Sequence, residues 1–509
     1  MRRYVLAIAA LLALNIATIA SAAAQDRERN RGRAEETAAS QQQPSRATTI
    51  APVSTEHKLA LPSGAIDYRA VVETLPIVDG KGATTAQVAV IAYLAGGADA
   101  RTRPVTFVFN GGPGVSSAFL QFGALGPKVL VTGPGGTIPV PPARLQDNPD
   151  SWLAFTDLVF VDPVGTGFSR ATKPDENADR AFWSVSSDAR SLSELIRLWL
   201  TRNARWPSPK FIAGESYGGY RGVQIARRLL DDQGVALNGL IMVSPALEFS
   251  TISPGQYNPL PWALALPSLV ASARAQDKGD ASMPLDQVEH FALTDYLTGI
   301  AAIDPPGPGP TDELIDSVTK LLGLKPDLVR RHHGRVPASV FSETLLEGTG
   351  LTLSLYDGAF AAPDPEPGRR GDDPLLTAIK APLSTAYNAY VRDELKLETD
   401  APFLLLNPET SRHWDWEGAR GGRGRGNGAM DALAETLALT PGMRVLVVHG
   451  RTDMVTPYMA SLWLLDRLDL PKEVRDRVQL AVLKGGHMMY LDGEQRHALN
   501  QLAAELYRN

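Results

Sequence analysis

Gly214-Glu215-Ser216-Tyr217-Gly218 fits the pattern G-x-S-x-G, in which a sharp turn lifts the serine Oγ clear of the backbone. Lys210–Ala213 before it reads as strand and the residues after it as helix, the setting such a turn requires. Without that setting the pattern also arises by chance in glycine-rich loops. A serine hydroxyl is a poor nucleophile until a base takes its proton, so the eight histidines come next. His57, His290, His332, His333, His413 and His497 read as surface or packing residues, and His449 closes an apolar strand. The His332–His333 pair has no partners at metal-site spacing. His487 stands apart, in Lys484-Gly485-Gly486-His487-Met488 directly after the last apolar strand. Asp453, in His449-Gly450-Arg451-Thr452-Asp453, follows the strand before that. The expected roles are attack by Ser216, proton relay by His487, and orientation of the imidazolium by Asp453. That chemistry calls for no metal and no organic cofactor.

A second loop supplies what a triad lacks. Asn110-Gly111-Gly112-Pro113-Gly114 follows the apolar run Val105–Phe109. Glycines there let backbone N–H groups approach a developing oxyanion without side-chain obstruction. The N–H groups of Gly112 and Tyr217 are the candidate oxyanion hole. A phosphate-binding loop is the competing reading, but the Gly-Lys-Ser/Thr ending that such a loop needs is missing.

Elements able to hold these loops recur along the chain. Residues 65–76 and 85–95 read as two strands, with Asp79-Gly80-Lys81-Gly82 as the turn of a hairpin. VTFVF (105–109), DLVFVD (157–162), residues 211–213, residues 240–243, MRVLVV (443–448) and VQLAVL (478–483) are short apolar runs of buried-strand type. Leu192, Leu195, Ile196 and Trp199 share one face of a helix over 187–200, and 223–230 lies in another. This alternation predicts an α/β fold, a mainly parallel sheet flanked by helices. It dissolves between about 248 and 440, a proline-rich stretch with an acidic segment (363–373) and the run GARGGRGRGNG (418–428). That stretch is expected to form an inserted cap. The Gly/Arg run reads as an exposed loop in preference to an RNA-binding segment.

Taken together, NGGPGVSS, NPDSW (148–152), DPVGTGFS (162–169), GESYGG, the Asp453 segment and GGHM resemble the serine carboxypeptidase family, on the α/β-hydrolase fold. The likeness runs over about 65–245 and from 440 to the end. It implies release of C-terminal residues from peptides through an acyl-enzyme, with Asn110 and Glu215 binding the substrate's terminal carboxylate. A glutamate can face a carboxylate only if the two share a proton, which raises one pKa. The chain departs from the family pattern in three places. Ala124 stands where a second glutamate is often found, Val115 stands where a cysteine is usual, and one residue is missing between Asp162 and Pro163.

Composition fits an exported enzyme. Of 509 residues, 44% are hydrophobic and 21% charged, with 50 Lys and Arg against 56 Asp and Glu. The net charge of −6 is too mild for a nucleic-acid binder. Arg2 and Arg3, an apolar run over 5–20 and the small residues Ala20-Ser21-Ala22-Ala23-Ala24 predict a cleaved signal peptide over 1–24. The run falls short of the ~20 apolar residues of a membrane anchor, so no stable membrane insertion is expected after cleavage. The chain has no cysteine, which for an exported protein points to a bacterial periplasm. Residues 25–50 read as a disordered linker, 51–247 and 441–509 as the two parts of the hydrolase core, and 248–440 as the cap. The expected partners are peptides with a free C-terminal carboxylate. An esterase or acyltransferase on the same scaffold and a non-catalytic binding protein are the alternatives.

Overall fold

The computed structural model describes residues 50–508, except 140, 174, 176, 303–309, 366–370 and 417–427. The expected signal peptide, nearly all of the linker and most of the Gly/Arg run lie outside the described residues. Nine strands build the main sheet: β1 (Val53–Leu61), β2 (Gly64–Val78), β3 (Thr84–Ala95), β4 (Val105–Phe109), β5 (Asp157–Val161), β6 (Lys210–Glu215), β7 (Gly239–Val243), β8 (Arg444–Gly450) and β9 (Val478–Leu483). Their spatial order is β1-β2-β3-β5-β4-β6-β7-β8-β9, and the short strand Arg170–Ala171 pairs with β3 as a tenth. β1, β2, β3 and β5 pair antiparallel. From β5 onward every neighbour is parallel. The fold is thus the expected mainly parallel α/β-hydrolase sheet.

Strand residues alternate between two cores, because successive side chains leave opposite faces of a sheet. Phe107, Phe109 and Ile212 point into one core, where Leu192, Ile196 and Trp199 of α1 (Val185–Arg202) and Val223 and Leu229 of α2 (Tyr217–Gln233) cover them. The Phe107 and Trp199 rings meet edge to face, with centroids 5.4 Å apart. Phe107→Ala is expected to cost about 3–5 kcal/mol through the cavity it leaves. Val108, Phe211 and Ala213 point the other way, against Leu499, Ala503 and Leu506 near the chain end.

The stretch between β7 and β8 does not pack as one body. α3 (Leu260–Ala275), α4 (Asp312–Leu322) and the segments between them share a separate apolar cluster. α5 (Pro374–Asp393) instead lays Ile379, Leu383 and Tyr387 on one core of the sheet. α6 (Met430–Leu439) lays Leu433 and Leu437 on the other.

Candidate active site

Five loops leave the carboxyl edge of the parallel strands side by side: Asn110 follows β4, Ser216 follows β6, Ser244 follows β7, Asp453 follows β8 and His487 follows β9. β4, which continues into the glycine loop, sits between β5 and β6, where the chain's progress across the sheet reverses. Such a switch point opens a crevice at the strand ends.

Ser216 has φ 58° and ψ −126°, a left-handed conformation that a non-glycine residue adopts only under constraint. The constraint comes from both sides. Its N–H donates to Val243 O at 2.9 Å, and α2 starts at the next residue. Gly214 has no room for a side chain, since a Cβ there would lie 2.1 Å from Gly218 O. Gly111 is needed likewise, because its Cβ would meet Tyr217 N at 2.6 Å and Ser216 Cβ at 2.9 Å. The glycine loop is therefore pressed against the elbow. The Gly112 N–H has no protein acceptor among the described residues. Tyr217 opens α2, where the first N–H groups have no intrahelical partner and carry the positive end of the helix dipole.

His487 Nδ1 lies 2.7 Å from Asp453 Oδ2. Asp453 is fully buried, and its oxygens also accept from Val455 N (2.8 Å), Thr456 N (2.9 Å) and Thr456 Oγ1 (2.7 Å). Burial presses the His487 pKa down, but the Asp453 charge and hydrogen bond, with Glu215 and Asp373 behind them, hold it above the ordinary histidine value. The ring is steadied from the inserted stretch too. His487 N–H donates to Tyr356 O at 2.5 Å, and the Tyr356 ring stands edge-on with centroids 5.2 Å apart. Ser244 Oγ donates to His487 O at 2.9 Å, which ties His487 to the residue following the Val243 carbonyl that holds Ser216. Ser216 Oγ makes no hydrogen bond to the ring among the described residues; such bonds often tighten only with substrate bound.

Glu215 and Asn110 meet in the buried floor, the Asn110 amide donating to Glu215 Oε2. Tyr490 OH donates to Glu215 Oε1 at 2.7 Å. Burial pushes the Glu215 pKa up to about 7, against the pull of His487 and the Tyr490 hydrogen bond. Beneath them Arg221 donates from Nη1 to Asn110 O at 2.6 Å and from Nε to Asp188 Oδ2 at 2.7 Å, a buried pair joining α1 and α2 under the loop. Its guanidinium also lies over the Tyr217 ring, 4.9 Å from the centroid.

All seven residues singled out in the sequence gather here: Ser216, Asp453, His487, Gly112, Tyr217, Asn110 and Glu215. Sequence reasoning missed Thr456, Tyr356, Tyr490, Arg221 and Asp188. Only adjacency to an identified residue could have flagged Thr456 and Tyr490, and nothing in the inserted stretch marks Tyr356. His449 is buried in β8 with Nε2 on Ser461 Oγ at 2.8 Å, and His497 pairs with Asp150 at 2.6 Å, so both have packing partners away from Ser216.

A family model described as serine carboxypeptidase matches residues 93–258, a span holding the glycine loop and Ser216 but ending before Asp453 and His487. The serine carboxypeptidase-like 33 protein of Arabidopsis thaliana is 35% identical over 158 residues, 28% of this chain and 30% of that protein. Carboxypeptidase Y homolog A of Paracoccidioides lutzii is 30% identical over 137 residues, 26% of this chain and 22% of that one. The chain thus spans less than a third of the length of these relatives. A pheromone-processing carboxypeptidase of Yarrowia lipolytica is 24% identical over 391 residues, 72% of this chain and 52% of its own. In structure, a prohormone-processing carboxypeptidase from Saccharomyces cerevisiae superposes with TM-score 0.57 at 15% identity, covering 87% of this chain and 91% of that one. At that identity the likeness speaks to the fold alone.

Proposed function

We propose that this chain, which belongs to the serine carboxypeptidase family, removes C-terminal residues from peptides through a Ser216 acyl-enzyme. The observation that carries the reading is the convergence, at one sheet edge, of an Asp453-held His487 and a buried Asn110–Glu215 pair on either side of Ser216. His487 takes the Ser216 proton as Oγ attacks the last peptide carbonyl, and the Gly112 and Tyr217 N–H groups receive the oxyanion. The C–N bond then breaks, His487 protonates the departing amine, and water releases the shortened peptide by the reverse proton path. Asn110 and a protonated Glu215 hold the terminal carboxylate. That placement, next to the nucleophile, limits cleavage to the last residue.

Mass spectrometry of peptides incubated with the protein tests this. Free-acid peptides are expected to shorten from the C-terminus and matched C-terminal amides to react poorly. Ser216→Ala is expected to lose several orders of magnitude in rate with its fold intact. Equal rates on acid and amide would replace this reading with an esterase or endopeptidase.

We also propose export after cleavage at Ala22 or Ala24, in keeping with the charged, apolar and small-residue order of the leader. No described helix is long and apolar enough to cross a membrane. N-terminal sequencing of protein from its host is the test; a chain beginning at Met1 would overturn it.

A further inference from the structure

Both sides of the Glu215 carboxyl are occupied, by unlike groups. Asn110 meets Oε2 through Nδ2. The amide's orientation is fixed, because its Oδ1 accepts from Leu120 N at 3.0 Å and the nitrogen must face the glutamate. Tyr490 meets Oε1 through its hydroxyl at 2.7 Å. It sits in the short turn Met489–Leu491 just after His487, and its side chain is wholly buried. The ring fits only because residue 123 is glycine: a Cβ there would lie 2.4 Å from Tyr490 Cε2. Ala124, next along the same segment, is buried and has no polar side-chain atom to offer Glu215. His487, Asp453 and Tyr356 act on Glu215 through space. Among the described residues only Asn110 and Tyr490 hydrogen-bond its carboxyl group.

A neutral carboxyl group has one oxygen that carries hydrogen and one that only accepts. The Asn110 nitrogen can only donate to Oε2, whereas the Tyr490 hydroxyl can donate to Oε1 or accept from it, so the two partners hold both oxygens of the group whether it is charged or neutral. Building on the carboxypeptidase reading, we propose that Tyr490 is a positioning residue that anchors the Glu215 carboxyl group from its Oε1 side, so that Asn110 and Glu215 together grip the substrate's terminal carboxylate. Gly123 is the space that admits it. The Tyr490 donor also favours the ionised carboxylate, opposing the burial that raises the Glu215 pKa to about 7. Removing the hydroxyl therefore has two effects of different kind. The carboxyl group loses its anchor on the Oε1 side, and Glu215 stays protonated to higher pH.

The experiment measures kcat/KM against pH for a free-acid peptide and its C-terminal amide, in the wild-type protein and in Tyr490→Phe. The variant is expected to lose about tenfold in acid-over-amide preference, and its alkaline limb on the free acid should move up by about one pH unit, the worth of one hydrogen bond to a charged group. Gly123→Ala, which crowds the ring without touching the hydroxyl, should move the limb the same way. A Tyr490→Phe profile with unchanged preference and unmoved limb would overturn the proposal and leave the carboxypeptidase reading standing. A wild-type protein with no preference for the free acid removes that reading, and this proposal with it.

Discussion

Two buried carboxylates flank Ser216, and they are furnished differently. Asp453 accepts from two backbone N–H groups, a threonine hydroxyl and the His487 ring. Glu215, equally buried, accepts only from the Asn110 amide and the Tyr490 hydroxyl. Burial alone disfavours the charge on either group; the donors supplied decide what each can do. In the proposed mechanism the four donors hold Asp453 where it can balance a developing imidazolium. Glu215 is left able to carry a proton near neutrality. The two carboxyl groups thus differ in what surrounds them: four donors converge on Asp453 and two on Glu215.

The largest expected effect breaks the first half of that contrast. Asp453→Asn keeps the shape but removes the charge and the tautomer control, and kcat should fall about 10⁴-fold. The His487 pKa should drop in the same variant, because the carboxylate is what raises it. Steady-state kinetics and a proton NMR titration of the ring check both. A smaller effect is expected on the other side. In the proposed reading Glu215 faces a substrate carboxylate and must be protonated, so kcat/KM for free-acid peptides should decline as pH rises through about 7. Glu215→Gln cannot ionise, and that decline should vanish, with about 10–100-fold lower activity on the free acid at its optimum. The amide of the same peptide should lose less. Thr456→Val gives the smallest change, removing one of the four donors on Asp453. A loss of about five- to tenfold in kcat/KM, as for one hydrogen bond, is expected. A loss as large as that of Asp453→Asn would mean that Thr456, and not the donor set as a whole, holds the carboxylate in place.

The contrast also marks what could be read from the chain. Ser216, Asp453 and His487 were legible because each follows an apolar strand and sits in a loop of characteristic residues. Gly111 and Gly214 were legible for the same reason, since close backbone approach excludes every other residue type. Tyr490 and Thr456 carry no such local sign. Their partners come from β6 and from the loop after β9, and no pattern of neighbours announces a contact made across the sheet. Arg221 and Asp188 were hidden differently: on helices, as part of an ordinary charged face, they are told from solvated residues only once α1 and α2 pack. β1 escaped because VSTEHKLAL has a single fully buried residue, Leu59, and so lacks an apolar run. The stretch between β7 and β8 was legible as an interruption but not in its division. α3, with Pro267 inside it, and α5, with Pro382 inside it, break the usual rules for helix interiors.

The position of that stretch has a consequence for how the protein comes into being. Ser216 and the glycine loop come with β4, β6 and β7, whereas Asp453 and His487 come only after the inserted stretch. Synthesis proceeds from the N-terminus at ~5–20 residues per second. The nascent chain therefore carries its serine through the whole intervening stretch with no partner to activate it. Contacts so distant along the chain are also slow to close, because the loop entropy is lost before they form. A ribosome that stalls within the insertion would release a fragment that has Ser216 but neither Asp453 nor His487. Under the proposed activity, the unfinished chain is kept from cutting its surroundings by the order in which its residues are made.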